Sequence, residues 1–191
     1  PPFWIYDAVN RWLLRSSYHL TRSNLPAYIK KLHTYKPALL AGYPSSLYLL
    51  ARANRSAGSP VQPRAVFASS ETIFDYQRQE IEASFGCRLY GWYGTGEMCA
   101  NIVQCEQGSY HLKQEHSLIE VIKDDRSALP GESGRLLCTG FGNRALMLIR
   151  YDIGDEVELS TRQDCDCGKS GTIIKQVSGR AEQYIVTPDG R

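Results

Sequence analysis

The sequence has no strong excess of charge of one sign and no long hydrophobic run. Its 191 residues contain 22 Lys and Arg against 20 Asp and Glu, which gives a formal net charge of only +2 at pH 7. The absence of a basic run argues against a nucleic acid or an anionic membrane as the main partner. No apolar stretch approaches the roughly 18 residues that cross a bilayer, so no membrane insertion is expected.

The start of the sequence also lacks the pattern of a signal peptide. The residues PPFWIYDAVNRW have no charged beginning followed by an apolar centre. The sequence therefore predicts a cytoplasmic, reducing location, where disulfides are rare. Of the six cysteines, Cys87, Cys99 and Cys138 lie in or beside apolar, strand-like runs and are interpreted as small buried thiols.

Helix and strand patterns alternate in the first half of the sequence. TRSNLPAYIKKLHTY has apolar residues at helical spacing, and PSSLYLLARANRSAG begins with a proline that the start of a helix tolerates. Short buried strands are predicted at KPALLAGY, RAVFASS and CRLYGW, with a helix at DYQRQEIEASFG. Strands that alternate with helices predict a parallel sheet with crossover helices.

From about residue 100 the sequence becomes rich in strands. The predicted strands are HSLIEVI, GRLLCTGF, LMLIRYDI, DEVELS, GTIIKQV and QYIVT. The predicted fold class is therefore α/β, a parallel sheet with crossover helices followed by a strand-rich β portion. The predicted divisions are an N-terminal helical segment at 1–20, an α/β part at 21–99, a β-rich part at 100–178, and a hinge with the truncated start of a further domain at 179–191.

Two predicted strands end in polar segments that could contact a nucleotide. VFASSET places Ser69, Ser70 and Glu71 after one strand, and GWYGTGEM places Glu97 after the next. Parallel sheets bind ligands at the carboxyl ends of their strands, and a carboxylate there can hold a magnesium ion that bridges phosphate oxygens. Taken singly, each segment is better explained by helix capping by serine or by a plain glycine turn.

A third polar segment, RYDIGDEVEL, places Asp152 and Asp155 on either side of a glycine. An ionised carboxylate offers two acceptor oxygens, so Asp155 could accept hydrogen bonds from both hydroxyls of a ribose. A turn between two strands is the alternative, because Asp and Gly are common turn residues. The later Gly-Arg pair at Arg180 means little alone.

The order SSE, YGTGE, RYDIGD and GR is more informative than any one motif. It resembles the motif order of the adenylate-forming ligases, and within them the phenylacetate–coenzyme A ligase-like branch that includes capsular-polysaccharide biosynthesis (CapK-like) proteins. The segment from about Tyr18 to GYPSSLYLLA is similar to that branch around its Gly-Tyr-Pro-Ser motif. The resemblance implies the central fragment of the large domain of an adenylate-forming enzyme.

The resemblance also implies site roles. Nucleotide contacts would come from Ser69, Ser70, Glu71, Tyr93, Gly94, Thr95, Asp155 and Arg180. Among these, the SSE segment would lie along the adenine, Tyr93 would stack near it, and Asp155 and Arg180 would contact the ribose. Glu97 would be the catalytic residue that coordinates magnesium, and Glu182 would lie at the hinge to a small domain. One position departs from the family motif, because Gly96 stands where the family has Thr or Ser.

The implied function is that of the central part of an ATP-dependent carboxylic acid ligase, which forms an acyl-AMP and then transfers the acyl group to coenzyme A. The family's phosphate loop and its lysine-bearing small domain are not found in the sequence, so the isolated chain is expected to be inactive. Tyr43, Pro44, Ser45 and Trp92 are predicted to line the pocket of the acid, although Pro44 also suits a helix start. The alternative is a non-catalytic, zinc-stapled module that binds a nucleotide or an acyl group.

The remaining cysteines suggest a metal site. Cys105 and His111 lie in CEQGSYH, while Cys165 and Cys167 lie in CDCG. Three thiolates and one imidazole suit a tetrahedral structural zinc, and Cys-x-Cys is too close to form an easy disulfide. Strand pairing would have to bring the two pairs together, and surface thiols in loops are the alternative. Related ligases of one branch have a similar Cys…His…Cys-x-Cys pattern, and this resemblance supports the zinc.

Overall fold

The computed structural model describes residues 3–58 and 60–180. The chain divides into two compact units, Pro1–Tyr90 and Gly91–Arg191. This division lies before the boundary predicted at residue 99. The reason is that the strand Leu89–Gly94 pairs antiparallel with the next strand of the chain, Asn101–Gln104. The hinge position Glu182 and the predicted strand QYIVT lie outside the described residues.

The first unit opens with a β-hairpin, so the predicted N-terminal helical segment is wrong. Strands β1 (Trp4–Asp7) and β2 (Trp12–Arg15) pair antiparallel. The turn forms because one oxygen of Asp7, Oδ1, accepts hydrogen bonds from the backbone N–H groups of Val9 at 2.9 Å and Asn10 at 3.2 Å. An aspartate that satisfies the backbone in this way favours a turn over a helix.

The rest of the first unit confirms the predicted alternation of helices and strands. Strands β3 and β4 pair in parallel, with α2 as the crossover between them. Thirteen buried apolar residues form one core, among them Leu47 of α2 and Phe85 of α3. The elements are α1 (Leu25–Tyr35), β3 (Leu39–Gly42), α2 (Pro44–Arg55), β4 (Ala65–Ser69) and α3 (Asp75–Phe85).

The second unit is built of antiparallel strands, as the strand-rich pattern predicts. Strands neighbour one another in the order β5, β6, β7, β12, β11, β10, β8 and β9. The sequence did not predict β6, β7 and β9, which are at most four residues long. The strands are β5 (Leu89–Gly94), β6 (Asn101–Gln104), β7 (Tyr110–Leu112), β8 (Ser117–Lys123), β9 (Arg126–Ser127), β10 (Ser133–Gly140), β11 (Tyr151–Leu159) and β12 (Ile173–Arg180).

RYDIGDEVEL is one strand and not two strands joined by a turn. β11 runs through both aspartates, and the preceding LMLI segment has no regular structure. Opposite β10 the register shifts between Asp152 and Glu156, and Gly154 has a φ of 78°. A glycine with positive φ at a shift of register is typical of a β-bulge. The sequence offered a turn between two strands at Asp152–Asp155, and the structure has a bulge within one strand there.

The thiol predictions hold for two of three cysteines. Cys99 and Cys138 are fully buried in the core of the second unit, and burial raises the pKa of Cys138 to about 12. Cys87 is only half-buried. Among the residues that the structure describes, no helix has the length and apolar character to cross a membrane.

Candidate functional site

Three strands of the second unit bring Tyr93, Asp155 and Arg180 together, and this group is called the Asp155 cluster. Tyr93 Oη donates a hydrogen bond to Asp155 Oδ2 at 2.7 Å. Arg180 Nε lies 3.4 Å from Asp155 Oδ1, because the two residues are paired across β11 and β12. Asp155 itself is only 9% exposed. The cluster therefore contains a carboxylate that a hydrogen bond from Tyr93 and an ion pair with Arg180 hold in place.

The electrostatics of the cluster keep Tyr93 in its donor form. Burial, and then the hydrogen bond to Asp155, raise the pKa of the Tyr93 phenol well above its usual value. The phenol therefore stays protonated at physiological pH and continues to donate. Each carboxylate oxygen has two lone pairs, and the hydrogen bond from Tyr93 uses one of them on Oδ2. Acceptor capacity therefore remains on Asp155 for the hydroxyl groups of a ligand.

The YGTGE segment forms a turn after β5 that leaves Glu97 without a partner. The backbone N–H of Met98 donates to the Thr95 carbonyl at 3.0 Å, and that of Cys99 donates to Thr95 Oγ1 at 3.3 Å. The Thr95 hydroxyl is thus used inside the turn. The Glu97 carboxylate makes no hydrogen bond or ion pair with any residue of the described ranges. A free carboxylate is a suitable oxygen ligand for a hard cation.

Gly96 has room for a side chain. A Cβ at this position would meet no atom within 4 Å, and the backbone is not in the left-handed region. The glycine that departs from the family motif is therefore not required by the turn, and a threonine or serine fits there. Gly94, at the end of β5, is exposed and pairs with Asn101.

In the first unit, Glu71 binds the start of α2. Its Oε2 accepts a hydrogen bond from the Ser45 backbone N–H at 3.0 Å, and its Oε1 accepts one from Ser45 Oγ at 2.9 Å. A carboxylate at a helix N-terminus is favoured by the helix dipole. The SSE and GYPSS segments, which the resemblance assigns to different parts of a site, are therefore directly connected, and this contact was not predicted.

The other predicted residues have simple local positions. Pro44 is the first residue of α2 and is buried, so the helix-start explanation accounts for it. Tyr43 precedes the helix and is 45% exposed. Trp92, in the second unit, donates from Nε1 to Asn101 Oδ1 at 2.9 Å. Ser69 Oγ lies 3.3 Å from Ser70 Oγ. Contact of these residues with an acid or with adenine stays a prediction.

The four predicted metal ligands do meet in the second unit. The ligand atoms of Cys105, His111, Cys165 and Cys167 all lie within 4.8 Å of one another. His111 is on β7, which pairs with both β6 and β12. These pairings bring the loop after β6 next to the loop before β12, and each loop carries cysteine. The sequence alternative of separate surface thiols is wrong, because three of the four residues are buried.

Both cysteine loops have the same turn. The N–H of Gly108 donates to the Cys105 carbonyl, and the N–H of Gly168 donates to the Cys165 carbonyl, each at 3.0 Å. Both glycines have positive φ, 85° and 75°. The repeated pattern Cys-x-x-Gly, in CEQG and CDCG, is a sequence signal for two matching turns, and it was not among the features that predicted the metal site.

The geometry fits zinc. Two sulfurs bound to one tetrahedral zinc at about 2.3 Å each lie about 3.8 Å apart, and Cys105 Sγ lies 3.7 Å from Cys165 Sγ. This separation is far too long for a disulfide bond. Cys167 Sγ lies 3.4 Å from His111 Nε2. Nδ1 of the same buried ring has no hydrogen-bond partner among the described residues.

The pKa of one thiol also favours a metal. A hydrogen bond from the Ser109 side chain, with further hydrogen bonds from the turn, lowers the pKa of Cys165 to about 6. Cys165 is therefore largely a thiolate at neutral pH, and the thiolate is the form that binds metal. With four ligand groups and no free position, such a site would have a structural role.

Comparison with known proteins supports the resemblance. No protein-family model matches the chain. The chain is 29% identical to Protein CapK of Staphylococcus aureus over 185 residues, which are 96% of this chain and 40% of that protein. A 2-hydroxyisobutyryl-CoA ligase, crystallised in an open conformation with 2-HIB-AMP and CoA, aligns with a TM-score of 0.71 at 21% identity, over 84% of this chain and 40% of the ligase.

A third comparison gives the same fold. The apo structure of Mycobacterium smegmatis MbtA aligns with a TM-score of 0.62 at 16% identity, over 85% of this chain and 33% of MbtA. The structural likeness shows that the chain has the fold of part of an adenylate-forming ligase, and the predicted resemblance to the CapK-like branch is confirmed. The chain spans about 40% of the length of CapK.

Proposed function

We propose that this chain is the central part of an ATP-dependent carboxylic acid ligase. The complete enzyme would join an acid to AMP with release of pyrophosphate, and would then transfer the acyl group to coenzyme A. The observation that carries the proposal is the Asp155 cluster, a buried carboxylate held by Tyr93 and Arg180. The similarity to CapK, and the acyl-AMP and CoA present in the structure of the 2-hydroxyisobutyryl-CoA ligase, are consistent with it. Because ATP and coenzyme A would both be consumed, we place the enzyme in the cytoplasm.

In this proposal Asp155 accepts hydrogen bonds from the two ribose hydroxyls. Tyr93 keeps the carboxylate in one orientation, and Arg180 adds positive charge beside the ribose. Glu97 would hold magnesium through its free carboxylate, and a cation held there would supply positive charge beside the phosphates. A fixed arrangement of these groups lowers the barrier because little reorganisation is needed when charge develops.

The test of the proposed function is the substitution Glu97→Gln in the complete enzyme. Glutamine keeps the shape of the side chain but removes the charge that would hold magnesium. We expect acid-dependent pyrophosphate release to fall at least about tenfold, which corresponds to about 1.4 kcal/mol of transition-state stabilisation. Glu115→Gln is the matched control, because Glu115 is an exposed acid of the same unit that pairs with Lys113. Equal rates for Glu97→Gln and the unmodified enzyme would remove Glu97 from the mechanism.

A second prediction concerns Gly96. In the proposed enzyme a threonine at this position would restore the hydroxyl of the family motif, and one hydrogen bond to a charged phosphate is worth about 1.5 kcal/mol. We expect Gly96→Thr to raise the rate of pyrophosphate release about tenfold. Gly142→Thr is the control, because a Cβ at Gly142 also meets no atom within 4 Å. An unchanged rate, with an unchanged melting temperature, would show that no phosphate contact is missing at Gly96.

A further inference from the structure

Helix α2 begins without a capping side chain of its own. Its N-cap residue, Tyr43, makes no side-chain hydrogen bond to the helix, and no acid stands in the first turn. The first N–H groups of a helix have no partner within the helix, and a nearby side chain commonly accepts a hydrogen bond from one of them. Here Glu71 accepts it from outside the helix, through its two hydrogen bonds with the backbone N–H and the hydroxyl of Ser45.

Glu71 reaches α2 because the two segments follow neighbouring strands. β3 and β4 pair in parallel, with Gly42 at the end of β3 opposite Ala68 near the end of β4. α2 begins soon after β3, and the SSE segment begins at Ser69, the last residue of β4. Both segments therefore lie at the carboxyl end of the sheet, where parallel sheets bind ligands.

The backbone between β4 and Glu71 has an unusual conformation. Ser70 has a φ of 68°, in the left-handed region that residues other than glycine seldom adopt. A residue persists in such a conformation when its surroundings hold it there. Ser70 is exposed, but the next residue, Glu71, has both carboxylate oxygens on Ser45. The contact thus ties the strained segment to a helix that is anchored in the core by Leu47.

We propose that Glu71 is a positioning residue for the base of the nucleotide, and that its carboxylate acts on α2 and not on the ligand. This inference rests on the proposed function, in which the SSE segment lies along the adenine. The bond to Ser45 holds the backbone of Ser69 and Ser70 in the conformation that the base meets. Without it the segment would relax from its left-handed conformation, and the contact with the base would weaken. The ribose contact would persist, because Asp155 belongs to a different strand.

The experiment is isothermal titration calorimetry on the complete enzyme with AMP and with 2′,3′-dideoxy-AMP. Both nucleotides carry adenine, so Glu71→Ala should weaken both by the same factor, about tenfold, and leave the preference for AMP unchanged. Glu80→Ala is the matched control, because Glu80 joins α3 to the other end of α2 through an ion pair with Arg55 at 3.1 Å. It should leave both affinities unchanged.

A second variant separates positioning from stability. Adding Ser45→Asp to Glu71→Ala returns an acid to the first turn of α2, which favours the helix, but it does not restore the link to the SSE segment. The double variant should therefore regain the melting temperature of the unmodified enzyme and not its affinity for AMP.

Three results would overturn the inference. The first is a folded Glu71→Ala enzyme that binds AMP like the unmodified one, and the second is a double variant that regains affinity together with stability. Either would leave the proposed function intact. The third is an unmodified enzyme that binds no AMP at millimolar concentration, which would overturn the proposed function as well.

Discussion

Replacement of Cys165 by serine is expected to remove a bound zinc ion and to destabilise the second unit. Cys165 lies in one of the two Cys-x-x-Gly turns, with its sulfur 3.7 Å from that of Cys105. A serine hydroxyl stays protonated at neutral pH, whereas zinc binds an ionised thiolate. The substitution would therefore remove one of the four zinc ligands. Elemental analysis of protein purified without added metal should find about one zinc per chain before the substitution and little after it.

The loss of stability follows from linkage between metal binding and folding. At a free zinc concentration about a thousandfold above its Kd, the metal contributes about 4 kcal/mol to the free energy of unfolding. For a chain of this size that corresponds to a fall in Tm of roughly 8 to 16 °C. Hydrogen exchange should increase first at β7 and β12, since Ile173 pairs with His111 and packs against Cys105 and Cys165.

The matched control is Cys87→Ser, a half-buried thiol of the first unit that lies outside the cluster. It should retain zinc and its hydrogen-exchange pattern at β7 and β12. A chain that contains no metal as purified, or a Cys165→Ser protein that keeps its zinc, would contradict the site. In either case the four residues would be a reduced cluster with a packing role only.

The second large effect is expected for Asp155→Asn in the complete enzyme. Asparagine has the same shape, but it loses the charge and one of the two acceptor oxygens. Because a hydrogen bond to a charged group is worth about 1.5 to 3 kcal/mol, AMP should bind about thirtyfold more weakly. Titration with AMP and with 2′,3′-dideoxy-AMP separates the ribose contact from other effects.

The unmodified enzyme should prefer AMP to the dideoxy nucleotide, and Asp155→Asn should lose that preference. Asp152→Asn is the matched control, because Asp152 is the other acid of RYDIGD and pairs with Arg135 at the protein surface. It should keep the preference for AMP. If Asp155→Asn still distinguishes the two nucleotides as the unmodified enzyme does, the ribose assignment is wrong, whatever the result for Glu97→Gln.

Local patterns in the sequence were sufficient to predict the elements that are formed by contacts between residues close together along the chain. Helices α1, α2 and α3 follow from the spacing of apolar residues and from Pro44 and Gly86 at helix ends. The set of candidate metal ligands followed from the chemistry of three thiols and one imidazole, together with the resemblance to ligases that have a similar pattern. The first hairpin was missed because its turn depends on one side chain, Asp7, which also fits the start of a helix.

Tertiary structure alone decided which distant residues meet. The pairing of β7 with β6 and β12 brings His111 to Cys167, and the pairing of β11 with β12 brings Arg180 to Asp155. A shift of one residue in a strand moves every side chain to the other face, and register depends on the whole sheet and not on any local pattern. The bulge at Gly154, the Tyr93–Asp155 hydrogen bond and the capping of α2 by Glu71 all depend on such long-range placement. The sequence by itself therefore determined the kinds of groups in the candidate site, and the fold determined which of them act together.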